Sequence, residues 1–191
     1  MEVQRLLTTL MHGNQLKRTS RTGWGQRGVA SPENVAAHSY GVVFTALILA
    51  ELIDPPPDMA VVLAMATLHD LPEALTTDIP APAWRLFPDG TKAAAERQAI
   101  EEILAGAPFA PRLLGLWEEL RQNHTDEARL VHDADKLDQF LQAYVYELQT
   151  GNRQLEEFWR KPHVFHFPQA RAVYEELRGR RADMSAGSLP G

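Results

Sequence analysis

Ten residues, Met59 to Leu68, read MAVVLAMATL, and Thr67 is the one polar residue among them. A helix that is apolar nearly all round cannot lie on a surface. It belongs in the centre of a domain, with other elements packed about it. The segment is also far short of the ~20 residues that a membrane span needs. Pro55 to Pro57 precede it, and Asp58 is placed to cap its start. Directly after it come His69 and Asp70. Pro72 then holds Leu71 to extended or turn conformations, which predicts that the helix ends at the His-Asp pair. An imidazole and a carboxylate are thereby set at the inner end of a buried helix. A structural reading is open too: the His as a core residue, and Asp70 as the cap of a following turn with Glu73 as its reciprocal partner.

The segments on either side supply the packing. Glu2 to Met11 predicts a short helix with Val3, Leu6, Leu7 and Leu10 on one face. Residues 13–30 carry Gly23, Gly25, Gly28, four cations (Lys17, Arg18, Arg21, Arg27) and the lone Trp24, and read as a loop. Those cations are either solvated surface or an anion-binding rim, since an arginine fork suits phosphate oxygens. Ser31-Pro32-Glu33 reads as a helix start. The helix runs to Ile53 with Val35, His38, Val42, Ala46, Leu49 and Ile53 on its inner stripe. Further helices are predicted over residues 92–105 and 111–122, and a long one from the cap Thr125 to Gly151. The inner stripe of the long one reads Ala128, Val131, Asp135, Asp138, Leu141, Val145 and Leu148. A short helix around Leu155 to Trp159 and a last one over Pro168 to Arg181 complete the set. No alternating strand and no repeat is found. The expectation is all-α: a single helical bundle of about six or seven helices over residues 1–181, followed by a flexible tail over 182–191.

Composition narrows the function. A net charge of −6 argues against a long nucleic acid as partner, which calls for a basic surface. The chain has no cysteine, so disulfides, thiolate metal sites and a cysteine nucleophile are excluded. The N-terminal MEVQRLLTTL lacks the pattern of a signal peptide, and no apolar run reaches membrane length. A cytoplasmic protein with no membrane association is expected.

Three helices thus present inward-facing polar groups: His38, His69 with Asp70, and Asp135. A carboxylate on an apolar face must be paired, protonated or bound to metal. Two imidazoles and two carboxylates suit Mn²⁺, Co²⁺, Fe²⁺, Zn²⁺ or Mg²⁺ and leave coordination positions open for catalysis. An ion so held polarises a phosphoryl oxygen and activates water. Glu73 and Asp78 follow the pair closely and are carboxylates fit for proton transfer.

These residues, with the stretches RTGW (Arg21 to Trp24), PENVAAHS (Pro32 to Ser39), HDLPEALTTDIP (His69 to Pro80) and DADKLD (Asp133 to Asp138), resemble the HD-domain metal-dependent phosphohydrolase superfamily. The similarity is to its 5′-deoxynucleotidase branch, which includes YfbR-like proteins and the HD-domain-containing protein 2 group, and it covers roughly residues 15–160. The resemblance implies a single HD domain and a divalent-metal-dependent phosphomonoesterase acting on deoxyribonucleoside 5′-monophosphates. It implies His38, His69, Asp70 and Asp135 as metal ligands, and Glu73 and Asp78 as catalytic acids beside the metal and phosphate. It implies Trp24 against the sugar, a nearby arginine (Arg21 or Arg18) on the phosphate, and a small-molecule nucleotide as partner. The family tends to dimerise, for which Trp and Phe residues near the C-terminus are candidates. This chain departs from the pattern at Gly23, where the branch places an arginine, at Ala37, where it places an acid, and at Thr77, where it places a glycine. Two other readings remain: an HD hydrolase of another phosphate ester (a triphosphate, cyclic nucleotide or alarmone), or a non-catalytic nucleotide-binding HD protein.

Overall fold

The computed structural model describes residues 3–160 and 163–185. Its elements, in chain order, are α1 (Val3–Gln15), a 3-10 turn (Leu16–Arg18), α2 (Thr22–Gly25), α3 (Val35–Ala50), α4 (Met59–Leu68), α5 (Glu73–Thr76), α6 (Ala81–Trp84), α7 (Thr91–Leu104), α8 (Ala110–Gln122), α9 (Asp126–Thr150), a second 3-10 turn (Arg153–Leu155), α10 (Glu156–Trp159) and α11 (Pro168–Ser185). The bundle is all-α, as expected, but it holds more helices than the expected six or seven. The unforeseen ones, α2, α5 and α6, span four residues each, too short to display a 3.6-residue period. Residues 182–185 of the expected tail form the last turn of α11, and the rest of that tail lies outside the described residues.

The centre of the bundle is α3 laid along α9, with α4 against both and α8 closing the far side of α4. Val62, Met65 and Ala66 of α4 are fully buried, which the apolar run demanded, while Ala60 and Thr67 face outward. Asp58 caps α4 as the sequence predicts, accepting from the N–H groups of Ala60 and Val61 at 2.9 and 3.3 Å. Thr125 caps α9, and Gly151 ends it in the left-handed conformation that glycine adopts freely. Among the described residues no helix is long and apolar enough to cross a membrane.

Three local readings are corrected. Helix α3 starts at Val35, capped by Asn34 rather than Ser31, because residues 33–35 are extended against residues 19–21. The Arg21 N–H donates to Glu33 O and the Val35 N–H to Thr19 O, at 3.1 and 2.8 Å. This pairing lays the 13–30 segment beside the start of α3. The second half of the α9 stripe is also misassigned: Leu141, Val145 and Leu148 are exposed, and Leu137, Phe140, Ala143 and Tyr146 are buried instead. Helix α9 is covered on more than one side, by α3, α4, α8 and α11, so no single stripe describes it. Finally, the face of α1 carrying Val3, Leu7 and Leu10 is exposed. On α7, Glu96 is buried between Lys92 and Arg121.

Candidate functional site

Four side chains from three helices converge on one point. His38 comes from the start of α3, His69 caps the end of α4, Asp70 follows it, and Asp135 comes from α9. The chain turns directly after α4, and Asp70 does not cap the next turn: α5 begins after Pro72 with no side-chain cap. The Asp70 carboxylate faces the histidines instead, with Oδ2 3.3 Å from His69 Nε2 and 3.6 Å from His38 Nε2. Asp135 Oδ1 lies 3.3 Å from His38 Nε2.

The hydrogen bonds on the other side of each ring fix its tautomer. His38 Nδ1 is 2.7 Å from Asp138 Oδ2, and His69 Nδ1 is 2.7 Å from the Ala66 carbonyl. Both partners accept, so in the neutral rings both Nδ1 atoms carry the hydrogen and both Nε2 atoms present lone pairs. These Nε2 atoms are 3.4 Å apart. Two lone pairs and two carboxylates pointing at one another call for a cation, and the donor set is that of a divalent ion bound through N and O. Without a metal, a proton answers part of this demand. Burial opposes charge on His38, but its hydrogen bonds to Asp135 and Asp138 prevail and raise its pKa to about 10. Burial likewise opposes charge on Asp135 and Asp70. Lys136 and His38 outweigh it at Asp135, and His69 and Arg21 at Asp70, so both stay below the usual carboxylate range.

A cleft opens beside this cluster. Arg21 enters it with Nη1 3.3 Å from Asp70 Oδ2; burial disfavours its charge, and Asp70, Asp135 and Asp78 more than compensate. Glu73 is buried on the same wall, and its Oε2 has no hydrogen-bond partner among the described residues. Burial first, then the charges of Asp70 and Asp78, push its pKa up to about 9. Asp78 is pinned: its Oδ2 accepts the Thr22 N–H at 2.7 Å, and the Thr22 hydroxyl donates to the Asp78 carbonyl at 2.6 Å. Trp24 is 2 % exposed, yet it lines the cleft, its indole N–H donating to Glu33 Oε1 at 3.0 Å and its ring 4.7 Å from that of Phe158.

Of the residues singled out in the sequence, then, His38, His69, Asp70, Asp135, Glu73, Asp78, Arg21 and Trp24 come together, and Arg18 does not. Arg18 is exposed, bonded to Gln15, and does not line the cleft. Sequence reading did not find Lys92, Lys136, Gln139 and Phe158, which complete the cleft. Nothing in their local spacing marks them. Arg27, one of the four cations of the 13–30 segment, lies 4.6 Å over the Phe158 ring and pairs with Glu157 at 3.0 Å. His132 bonds the Leu120 carbonyl at 2.9 Å, and His166 bonds the fully buried Asp133, so both serve the fold.

Comparison with known proteins agrees with this geometry. The family description "HD domain" matches residues 13–170. The 5′-deoxynucleotidase HDDC2 of Danio rerio is 32% identical over 172 residues, covering 88% of this chain and 84% of its own length. The Xenopus laevis protein of the same name is 34% identical over 170 residues, covering 85% and 82%. Among solved structures, a conserved hypothetical protein of Pyrococcus furiosus superimposes with a TM-score of 0.77 at 38% identity, covering 90% of this chain and 98% of that one.

Proposed function

The chain belongs to the HD-domain family, and from that premise we propose that it removes the 5′-phosphate from deoxyribonucleoside monophosphates. The coarser activity, metal-dependent hydrolysis of nucleotide phosphate esters, goes with the family and the clustered ligands. The finer substrate rests on similarity to proteins named 5′-deoxynucleotidases. The observation that carries the reading is the pair of Nε2 lone pairs, 3.4 Å apart, flanked by Asp70 and Asp135 and facing a cleft that holds Arg21.

His38, His69, Asp70 and Asp135 would hold the divalent ion, which supplies Lewis-acid polarisation of the phosphoryl group. Arg21 is placed to take the remaining phosphate oxygens and to balance the charge that builds on them. Glu73 and Asp78 differ in their environments. Glu73, buried and with a pKa raised by that burial and by the neighbouring acids in the metal-free protein, fits donation to the leaving 5′-oxygen. Asp78, held by Thr22, fits a fixed acceptor that orients the attacking water. Trp24 is locked by Glu33 and backed by Phe158 and Tyr146, so it forms an unyielding wall, which supports a role in excluding a 2′-hydroxyl.

The test is a phosphatase panel on metal-stripped protein. Inactivity without metal, revival by Co²⁺ or Mn²⁺, and preference for dAMP and dGMP over AMP and GMP are expected. Equal rates on AMP and dAMP would remove the selectivity role of Trp24, and faster release from triphosphates would replace the monophosphate as substrate.

A homodimer in the cytoplasm is part of the same proposal. The aromatic residues near the C-terminus do not support it, because Trp159 and Phe165 are buried. A different face does. Tyr40, Phe44 and Ile48 form an exposed row on α3, with exposed Leu52 just after it, and Leu141, Val145 and Leu148 are exposed on α9, the helix that α3 packs along. Sedimentation equilibrium of the wild type and of Phe44→Glu distinguishes a dimer through this face from a monomer.

A further inference from the structure

We propose that Asp138 is a positioning residue for the metal site: its carboxylate, seated over the bare Cα of Gly41, fixes the His38 ring with Nε2 free to ligate. This rests on the metal reading given above and adds a residue outside the ligand set.

Three carboxylates stand within 3.6 Å of the nitrogens of the buried His38 ring, and a fourth, Glu33, lies within 4.8 Å with its Oε1 engaged by the Trp24 indole. Asp135 and Asp70 stand 3.3 and 3.6 Å from Nε2, and Asp138 stands 2.7 Å from Nδ1. In the neutral ring, the form that ligates a metal, they compete for one hydrogen. Were it on Nε2, it would bond Asp135 or Asp70, and the lone pair needed for metal would be lost. The short contact to Asp138 holds it on Nδ1. The ring is 0 % exposed, so no bulk solvent offers a substitute acceptor. His69 solves the same problem with the Ala66 carbonyl, a neutral acceptor built into its own helix. His38 has a charged acceptor reaching across from α9, which also makes its Nε2 a stronger donor.

Gly41 gives independent support. It lies inside α3, where glycine is less favourable than alanine and no left-handed turn calls for it. A Cβ there would fall 1.9 Å from Asp138 Oδ1 and 2.7 Å from its Cγ. The missing side chain is the room in which the Asp138 carboxylate sits, less than one turn from His38 on the same helix.

The experiment titrates Co²⁺ into the metal-stripped full chain, following visible absorption and calorimetry, with helix content and melting of the metal-free proteins measured in parallel. Asp138→Asn keeps the shape and an acceptor but loses the charge; Asp138→Ala loses both. Co²⁺ affinity is expected to fall about 10- to 100-fold, more in Asp138→Ala than in Asp138→Asn, with metal-free helix content unchanged. Gly41→Ala is expected to weaken Co²⁺ in the same direction although every polar residue is retained. Affinity within twofold of wild type in folded Asp138→Asn and Gly41→Ala overturns the proposal. So does a loss of affinity matched by a loss of metal-free helix content, which would make Asp138 structural. If Asp138→Ala does not fold, the other two variants decide. A wild type that takes up no Co²⁺ defeats the metal reading instead, and the two failures are thereby told apart.

Discussion

Arg21 Nη1 lies 3.3 Å from Asp70 Oδ2, so the cation proposed for phosphate touches a carboxylate proposed for metal. The two subsites share a border, and removing Arg21 acts on them in opposite senses. Arg21→Ala is expected to lower kcat/KM for dAMP by about 100-fold or more, the scale on which lost charge stabilisation is felt. Metal affinity should hold or rise, because a competing positive charge is gone. Arg18→Ala, at an exposed residue bonded to Gln15, should leave kcat/KM within about twofold of wild type. Steady-state kinetics with parallel metal titration checks all three statements, and weaker metal binding in Arg21→Ala would contradict the shared border.

Glu73 places function against stability. Its folded pKa, about 9, stands above the ordinary 4.5, so the folded chain keeps a proton there that the unfolded chain gives up. Stability of the metal-free protein therefore falls as pH rises between those values. Glu73→Gln imitates the protonated acid at every pH. It should melt above wild type at pH 8, with the difference shrinking towards pH 5, and it should lose most of its phosphatase activity. Metal-free melting curves at the two pH values are decisive: a gap that does not narrow at pH 5 rules out the buried acid as its cause.

Thr77 is strained. Its φ of 60° and ψ of 167° lie in a region that is essentially confined to glycine, and a β-branched residue there is an outlier. The related pattern places a glycine at this position, and the structure supplies the reason. The side chain is exposed, so little packing is lost on its removal. Relief of about 1–3 kcal/mol of strain, less about 0.5–1 kcal/mol for glycine entropy, leaves Thr77→Gly more stable by about 1 kcal/mol. For a chain of this size that raises Tm by about 2–4 °C. Asp78 is held separately by Thr22, so activity should stay within about threefold of wild type. A lowered Tm in Thr77→Gly would mean that Thr77 makes a compensating contact.

What the sequence disclosed follows from how far each signal reaches along the chain. His38, His69, Asp70 and Asp135 were legible because each sits on or beside an apolar helix face, where a polar group stands out. Arg21 could not be separated from Arg18, because the choice depends on residues 19–21 pairing with residues 33–35, and no spacing records that. Phe158 and Lys92 reach the cleft from distant segments and resemble ordinary surface or core residues where they stand. Leu141, Val145 and Leu148 share the spacing of Asp135 and Asp138 but point outward, since α9 is buried on several sides at once. Asp138 lay on the predicted face, but its acceptor role became evident only with the space above Gly41.

Asp135 gives the most direct test of the metal centre. Asp135→Ala takes one carboxylate from the buried His38 Nε2 and leaves Asp70 Oδ2, 3.6 Å away, as the carboxylate facing it. The metal-free variant loses a favourable partner of the charged His38 ring and should melt somewhat below the metal-free wild type, so the quantity compared is the rise that metal produces in each protein. A ligand at 100 times its Kd stabilises by about 2.7 kcal/mol, which for a chain of this size means a rise in Tm of about 5–10 °C. Wild type with saturating Co²⁺ or Mn²⁺ should show that rise. Asp135→Ala should show none, together with loss of at least about 100-fold in kcat and unchanged helix content by circular dichroism. Chelation of the wild type should reproduce the loss of activity, and metal should restore it. A metal-induced rise in Tm that persists in Asp135→Ala would place the ion elsewhere in the fold.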